Sequence, residues 1–106
     1  MTIAVTARIE VDPAHLAAFM EAAGPAIRAT RQEPGCRLYA FARDFQQENL
    51  IWVSEEWTSD AALTEHLATP HISEFLARIA KLGLLSMEAR KYEVSHVGTI
   101  TPPPAA

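Results

Sequence analysis

With 106 residues, 49% apolar and 21% charged, the chain has the size and make-up of one globular domain with a single core. Its formal charge is −4, and the nine Lys/Arg are scattered among thirteen Asp/Glu, so no basic stripe exists to track nucleic acid. No apolar run approaches the roughly 18 residues of a membrane span. One cysteine, Cys36, excludes an intrachain disulfide, and no basic leader precedes the first strand-like stretch. The expected setting is the cytoplasm.

Ile3, Val5, Ala7, Ile9 and Val11 alternate with Ala4, Thr6, Arg8 and Glu10, a period-two strand with one apolar face. Asp12-Pro13 reads as an N-cap and a first-turn proline. Leu16, Phe19, Met20, Ala23 and Ile27 then recur at helical spacing. Pro25, inside that stripe, removes a backbone donor and crowds the carbonyl four residues back, so the helix is expected to kink or restart there. Pro34-Gly35 ends it in a turn. Cys36 to Asp44 is a second strand, with Leu38, Ala40 and Ala42 on one side and Arg37, Tyr39, Phe41 and Arg43 on the other.

The polar stretch Gln46 to Asn49 makes a hairpin into a third strand, Leu50 to Trp57. Ser59 caps a short helix to about Ala68. Thr69-Pro70 breaks it and caps the next, whose stripe is Ile72, Phe75, Leu76, Ile79 and Leu82. Gly83 supplies a stop and Leu84 to Val97 a last strand. Residues 1–98 thus read as one domain and 99–106 as a Pro-rich, extended tail.

The order β-α-β-β-α-β predicts an α+β, ferredoxin-like plait, an antiparallel sheet with its helices on one face. Both sheet faces read as largely dry. Trp52 falls in the set opposite Trp57, and a second copy packed on that face is the expected remedy. The alternative is Trp52 as a surface aromatic beside Arg37 or Arg43.

Taken together, Glu33-Pro34-Gly35-Cys36, Tyr39, Glu55-x-Trp57-x-Ser59, Leu63, His66, Thr69-Pro70-His71 and Phe75 resemble the antibiotic biosynthesis monooxygenase family, and within it the small quinol-monooxygenase type. The similarity runs from Ile3 to about Val97. It implies a homodimeric α+β barrel with a pocket between the sheet and helices of each protomer. The implied partners are a small aromatic quinol or phenol and O₂, with no cofactor and no metal. Other branches of the family cleave haem or isomerise a phosphorylated signalling sugar. The haem-cleaving branch uses an asparagine on its first strand, and the single asparagine here is Asn49, in the hairpin loop, so haem cleavage is not expected.

His66 stands at the edge of its helix's buried stripe, where an imidazole can take a phenolic proton or simply hydrogen-bond backbone. Glu55 shares a strand face with Val53 and Trp57. It is read as orienting His66 or a substrate hydroxyl, or else as linked to a backbone donor or an arginine such as Arg8. His66 and Glu55 are the catalytic candidates. Trp57, Leu63, His71 and Phe75 are the substrate-binding ones, although a strand-end tryptophan is as often core. Cys36 reads as an inert packing residue.

His66 and His71 lie five apart across a proline, not at the i,i+4 spacing of a zinc helix, and the four glycines are isolated, so neither a metal nor a phosphate loop is expected. Two other functions stay open. One is an isomerase acting on a small phosphorylated signal molecule, which needs a basic group at the pocket mouth, and none is evident. The other is a non-catalytic dimeric small-molecule-binding module.

Overall fold

In the computed structural model, which describes residues 1–105, the chain runs β1 (Thr2–Val11), a 3-10 turn (Pro13–His15), α1 (Leu16–Thr30), β2 (Cys36–Arg43), β3 (Leu50–Trp57), α2 (Asp60–Leu67), α3 (Pro70–Ile79) and β4 (Leu84–Val94). All strand pairs are antiparallel, in the order β2-β3-β1-β4, which is the expected ferredoxin-like plait. The last strand ends at Val94 rather than Val97, and the final tail residue, Ala106, lies outside the described residues. No helix among the described residues is long and apolar enough to cross a membrane.

Alternation along β1 decides which face is dry. Ile3, Val5, Ala7, Ile9 and Val11 are all buried. The register sets Ile51, Val53 and Trp57 beside them, with Tyr39 and Phe41 one strand further. On this face α1 lays Phe19, Ala22, Ala23 and Ala26, while Met20, one residue round the helix from Phe19, is 51% exposed rather than in the stripe. The helix passes through Pro25 as one element instead of restarting. Pro25 and Glu21 are both exposed, so the carbonyl deprived of its partner is open to water.

Ser59 caps α2 as expected, its Oγ accepting from the Ala62 N–H at 3.1 Å. Thr69 holds the N-cap position of α3 as expected, but its side chain makes no cap bond there. Its hydroxyl instead donates to the His66 carbonyl at 2.7 Å and closes the end of α2. Gly83, at φ 63°, makes the left-handed turn into β4.

The outer face departs from the dry surface expected of it. Arg8 sits opposite Trp52 on one side and Glu88 on the other. Trp52 is 43% exposed, its Nε1 donates to Asp44 Oδ1 at 2.9 Å, and the Arg8 guanidinium lies 6.0 Å from its ring. The cation beside it is thus Arg8, not Arg37 or Arg43.

Candidate active site

Between the sheet and α2–α3 lies a cavity of about 370 Å³. Val5, Ala7, Val53, Glu55, Tyr39 and Phe41 make its floor, and Leu63, His66, Ile72 and Phe75 its roof. It opens toward β4, which stays exposed along most of its length. Antiparallel pairing puts Lys91 opposite Val5, so β4 brings Lys91 to the rim beside Asp60. Lys91 Nζ donates to Asp60 Oδ1 at 2.9 Å. The mouth therefore carries a basic group, where the sequence showed none.

His66 is 3% exposed, and its Nδ1 lies 2.8 Å from Glu33 Oε2. The same oxygen takes His71 Nε2, also at 2.8 Å. Glu33 comes from the turn after α1, and Gly35 explains how it reaches α2. A Cβ at position 35 would overlap the Ala62 methyl, so glycine lets the turn lie flush on the helix. The Thr58 N–H donates to the Gly35 carbonyl at 2.9 Å and ties the turn to the end of β3. An imidazole nitrogen bonded to a carboxylate carries the proton. Nε2 of His66 then keeps its lone pair, and among the described residues nothing hydrogen-bonds to it. His66 lines the cavity and Glu33 does not, so the ring turns its other side to the hollow.

Trp57, expected on the pocket wall, is 0% exposed and lies behind it. Its ring backs His66 at a centroid distance of 4.5 Å and a tilt of 38°, and its Nε1 donates to Glu55 Oε1 at 2.9 Å. Glu55 is thus held by an indole. It neither orients His66, which Glu33 does, nor meets Arg8, which pairs with Glu10. Burial pushes the Glu55 carboxyl above its ordinary range, outweighing the indole bond and the nearby His66, while Glu33 adds to the rise. Tyr39 stands edge-on to His66 at 5.4 Å, and burial, then Glu55 and Glu33, raise its phenol far enough to keep the proton. Burial and the same two carboxylates raise the Cys36 thiol, in keeping with an inert side chain.

Of the residues singled out in the sequence, His66, Glu55, Leu63 and Phe75 meet at one cavity. Trp57 supports it from behind, and His71 stands on the far side of Glu33. Glu33 and Tyr39 carried no assigned role. The one signal for Glu33 was its place in the Glu33-Pro34-Gly35-Cys36 run, where the glycine marks a close approach.

The family model of the antibiotic biosynthesis monooxygenases matches residues 2–78. An uncharacterized protein of Synechocystis is 31% identical over 98 residues, which cover 92% of this chain and 67% of that one. Among solved structures, a Deinococcus radiodurans protein assigned to antibiotic biosynthesis monooxygenases superposes with a TM-score of 0.87 at 25% identity, over 96% of this chain and 100% of that one. A Mycobacterium tuberculosis protein reaches 0.85 at 24% identity, over 93% and 100%, a likeness of fold alone. The matched segment holds Glu33, Glu55, His66, His71 and Phe75, and stops short of β4. The chain belongs to the antibiotic biosynthesis monooxygenase family.

Proposed function

We propose that the protein is a cofactor-independent monooxygenase of a small quinol or phenol, in which His66 Nε2 takes the phenolic proton and the resulting anion reduces O₂ directly. The observation that carries this reading is a buried imidazole, pinned by a carboxylate on one nitrogen and bare on the other, set into an apolar hollow large enough for a ring.

Glu33 stabilises the imidazolium as it forms. Burial favours the neutral form of Glu55, which can donate a hydrogen bond to a substrate hydroxyl without setting a second negative charge beside the phenolate. One oxygen atom of O₂ bonds to the ring carbon and becomes a carbonyl. The other leaves as water with the protons of that C–H and the phenol, while the ring supplies the four electrons. Dry walls strengthen the few charged contacts present.

With hydroquinone as substrate, His66→Ala is expected to lower oxygen uptake by roughly 10²–10⁴-fold with the fold intact by circular dichroism. Uptake at the wild-type rate would remove His66 from the chemistry. The rim cation Lys91 favours the isomerase as the second reading, although it already faces the Asp60 carboxylate. No oxygen uptake with any quinol, together with phosphate binding lost in Lys91→Ala, would select it.

We infer as well that two copies pair through the outer faces, covering Trp52, Leu38 and Tyr92, which are 43%, 41% and 46% exposed in the single chain. Sedimentation should give a dimer that Trp52→Asp splits. A wild-type monomer at micromolar concentration would end that inference.

A further inference from the structure

We propose that Glu33, His66 and His71 form a binding site for a divalent transition-metal ion. The three donors, Glu33 Oε2, His66 Nδ1 and His71 Nε2, lie within 4.8 Å of one another, and each nitrogen is 2.8 Å from the shared oxygen. They come from three segments: the turn after α1, α2 and the first turn of α3. Two imidazoles and a carboxylate make a set that suits nickel, copper, iron or zinc.

The two separations from the shared oxygen bear on the geometry at an ion. At a metal–ligand bond of about 2.1 Å, a 2.8 Å donor separation subtends about 84° at the ion. That is close to the right angle of six-coordinate or square-planar ions, and far from the ~109° of tetrahedral zinc.

The ligands are also held in place before any ion arrives. His66 is packed against Trp57 and Tyr39, and the Thr69 hydroxyl fixes the backbone between the histidines at the His66 carbonyl. His71, 25% exposed at the side chain, gives a path of entry. The sequence spacing excluded a pair on one continuous helix. The expectation of no metal weighed the two histidines across the proline without the third ligand, Glu33, which a turn far back in the chain supplies.

An ion here replaces the two protons that now join the imidazoles to Glu33. With the ion on Nδ1, the neutral His66 ring carries its proton on Nε2, so the loaded protein lacks the proton acceptor. Ion binding and proton abstraction by His66 exclude each other. The site rests on the geometry and not on the reaction proposed above.

The test uses the tag-free chain, titrated separately with Ni²⁺ and Zn²⁺ by calorimetry and thermal melting. One ion per chain is expected, Ni²⁺ the tighter, with affinity falling at least roughly tenfold in His71→Ala and in Glu33→Ala. The double variant His15→Ala/His96→Ala, which removes the two exposed histidines outside the site, should bind as the wild type does. Cu²⁺ paramagnetic resonance should show two coordinated imidazole nitrogens, reduced to one in His71→Ala, a readout independent of stability. No heat and no melting shift up to millimolar ion, or binding unchanged in His71→Ala, would overturn the site. No turnover is measured, so either result leaves the oxygen-uptake test to stand or fall separately.

Discussion

Strand β3 carries two tryptophans on opposite faces of the sheet, and both indoles do the same thing. Trp57 Nε1 donates to Glu55 Oε1 at 2.9 Å, and Trp52 Nε1 donates to Asp44 Oδ1 at 2.9 Å. The two carboxyls respond in opposite ways. Asp44, on the open face, is held below its ordinary range chiefly by its indole. Glu55, under the helices, is raised because loss of water outweighs the same bond. Trp57 is 0% exposed and Trp52 43%. What separates a site from a surface here is the layer of helix above it, not the hydrogen bond.

The largest expected effect tests that contrast directly. Trp57→Ala should cost about 3–5 kcal/mol in denaturant unfolding, since it empties a buried site and strips Glu55 of its donor. Trp52→Ala should cost far less at concentrations where the chain is monomeric. Equal costs would mean that the two faces are equally packed, and the contrast would be lost.

The contrast also marks how far the residues could be read without coordinates. β1 alternation and the Ser59 cap are local signals, and the fold followed from them because each strand's dry face is written in consecutive residues. Trp57 and Trp52 fall on opposite faces for the same reason. That Trp57 lies behind the wall, with His66 between it and the cavity, depends on how α2 tilts over the sheet, and no spacing in one element encodes it. Glu33 went unassigned because its partners lie 33 and 38 positions away. Only the docking of Gly35 on Ala62 brings them together. The basic rim escaped notice because Lys91 reaches the mouth through its register with β1, which the sequence does not print.

A second prediction turns on Glu55. A carboxyl raised in the folded state gives stability that is full below its unfolded value and lost as pH climbs through the folded one. Glu55→Gln keeps an oxygen for the Trp57 indole and removes the ionisation. The variant should melt no lower than wild type near pH 4, where a free glutamate is about half protonated. Its advantage should then grow toward pH 8 as the wild type takes up the cost of a buried charge. Parallel melting curves across that range would mean that Glu55 sheds its proton freely and that the cavity floor is wetter than its lining implies.

The smallest effect belongs to the exposed indole. Trp52→Phe keeps the ring face for Arg8 and deletes the N–H that Asp44 accepts. Asp44 also accepts from the Gln46 and Gln47 N–H groups, each at 3.0 Å, so its carboxyl should stay somewhat depressed while losing the largest of its causes. The sign is opposite to that for Glu55: a depressed carboxyl stabilises the fold above its unfolded value, and that contribution fades as pH falls through the folded one. In Trp52→Phe that contribution should be smaller, and its fading complete at a higher pH. The Asp44 titration midpoint followed by NMR should rise, while the neutral-pH melting temperature hardly moves, as is usual for a solvent-facing pair. A midpoint that stays put would assign the depression to the turn's backbone donors, and the two indoles would then differ in what they bind as well as in what covers them.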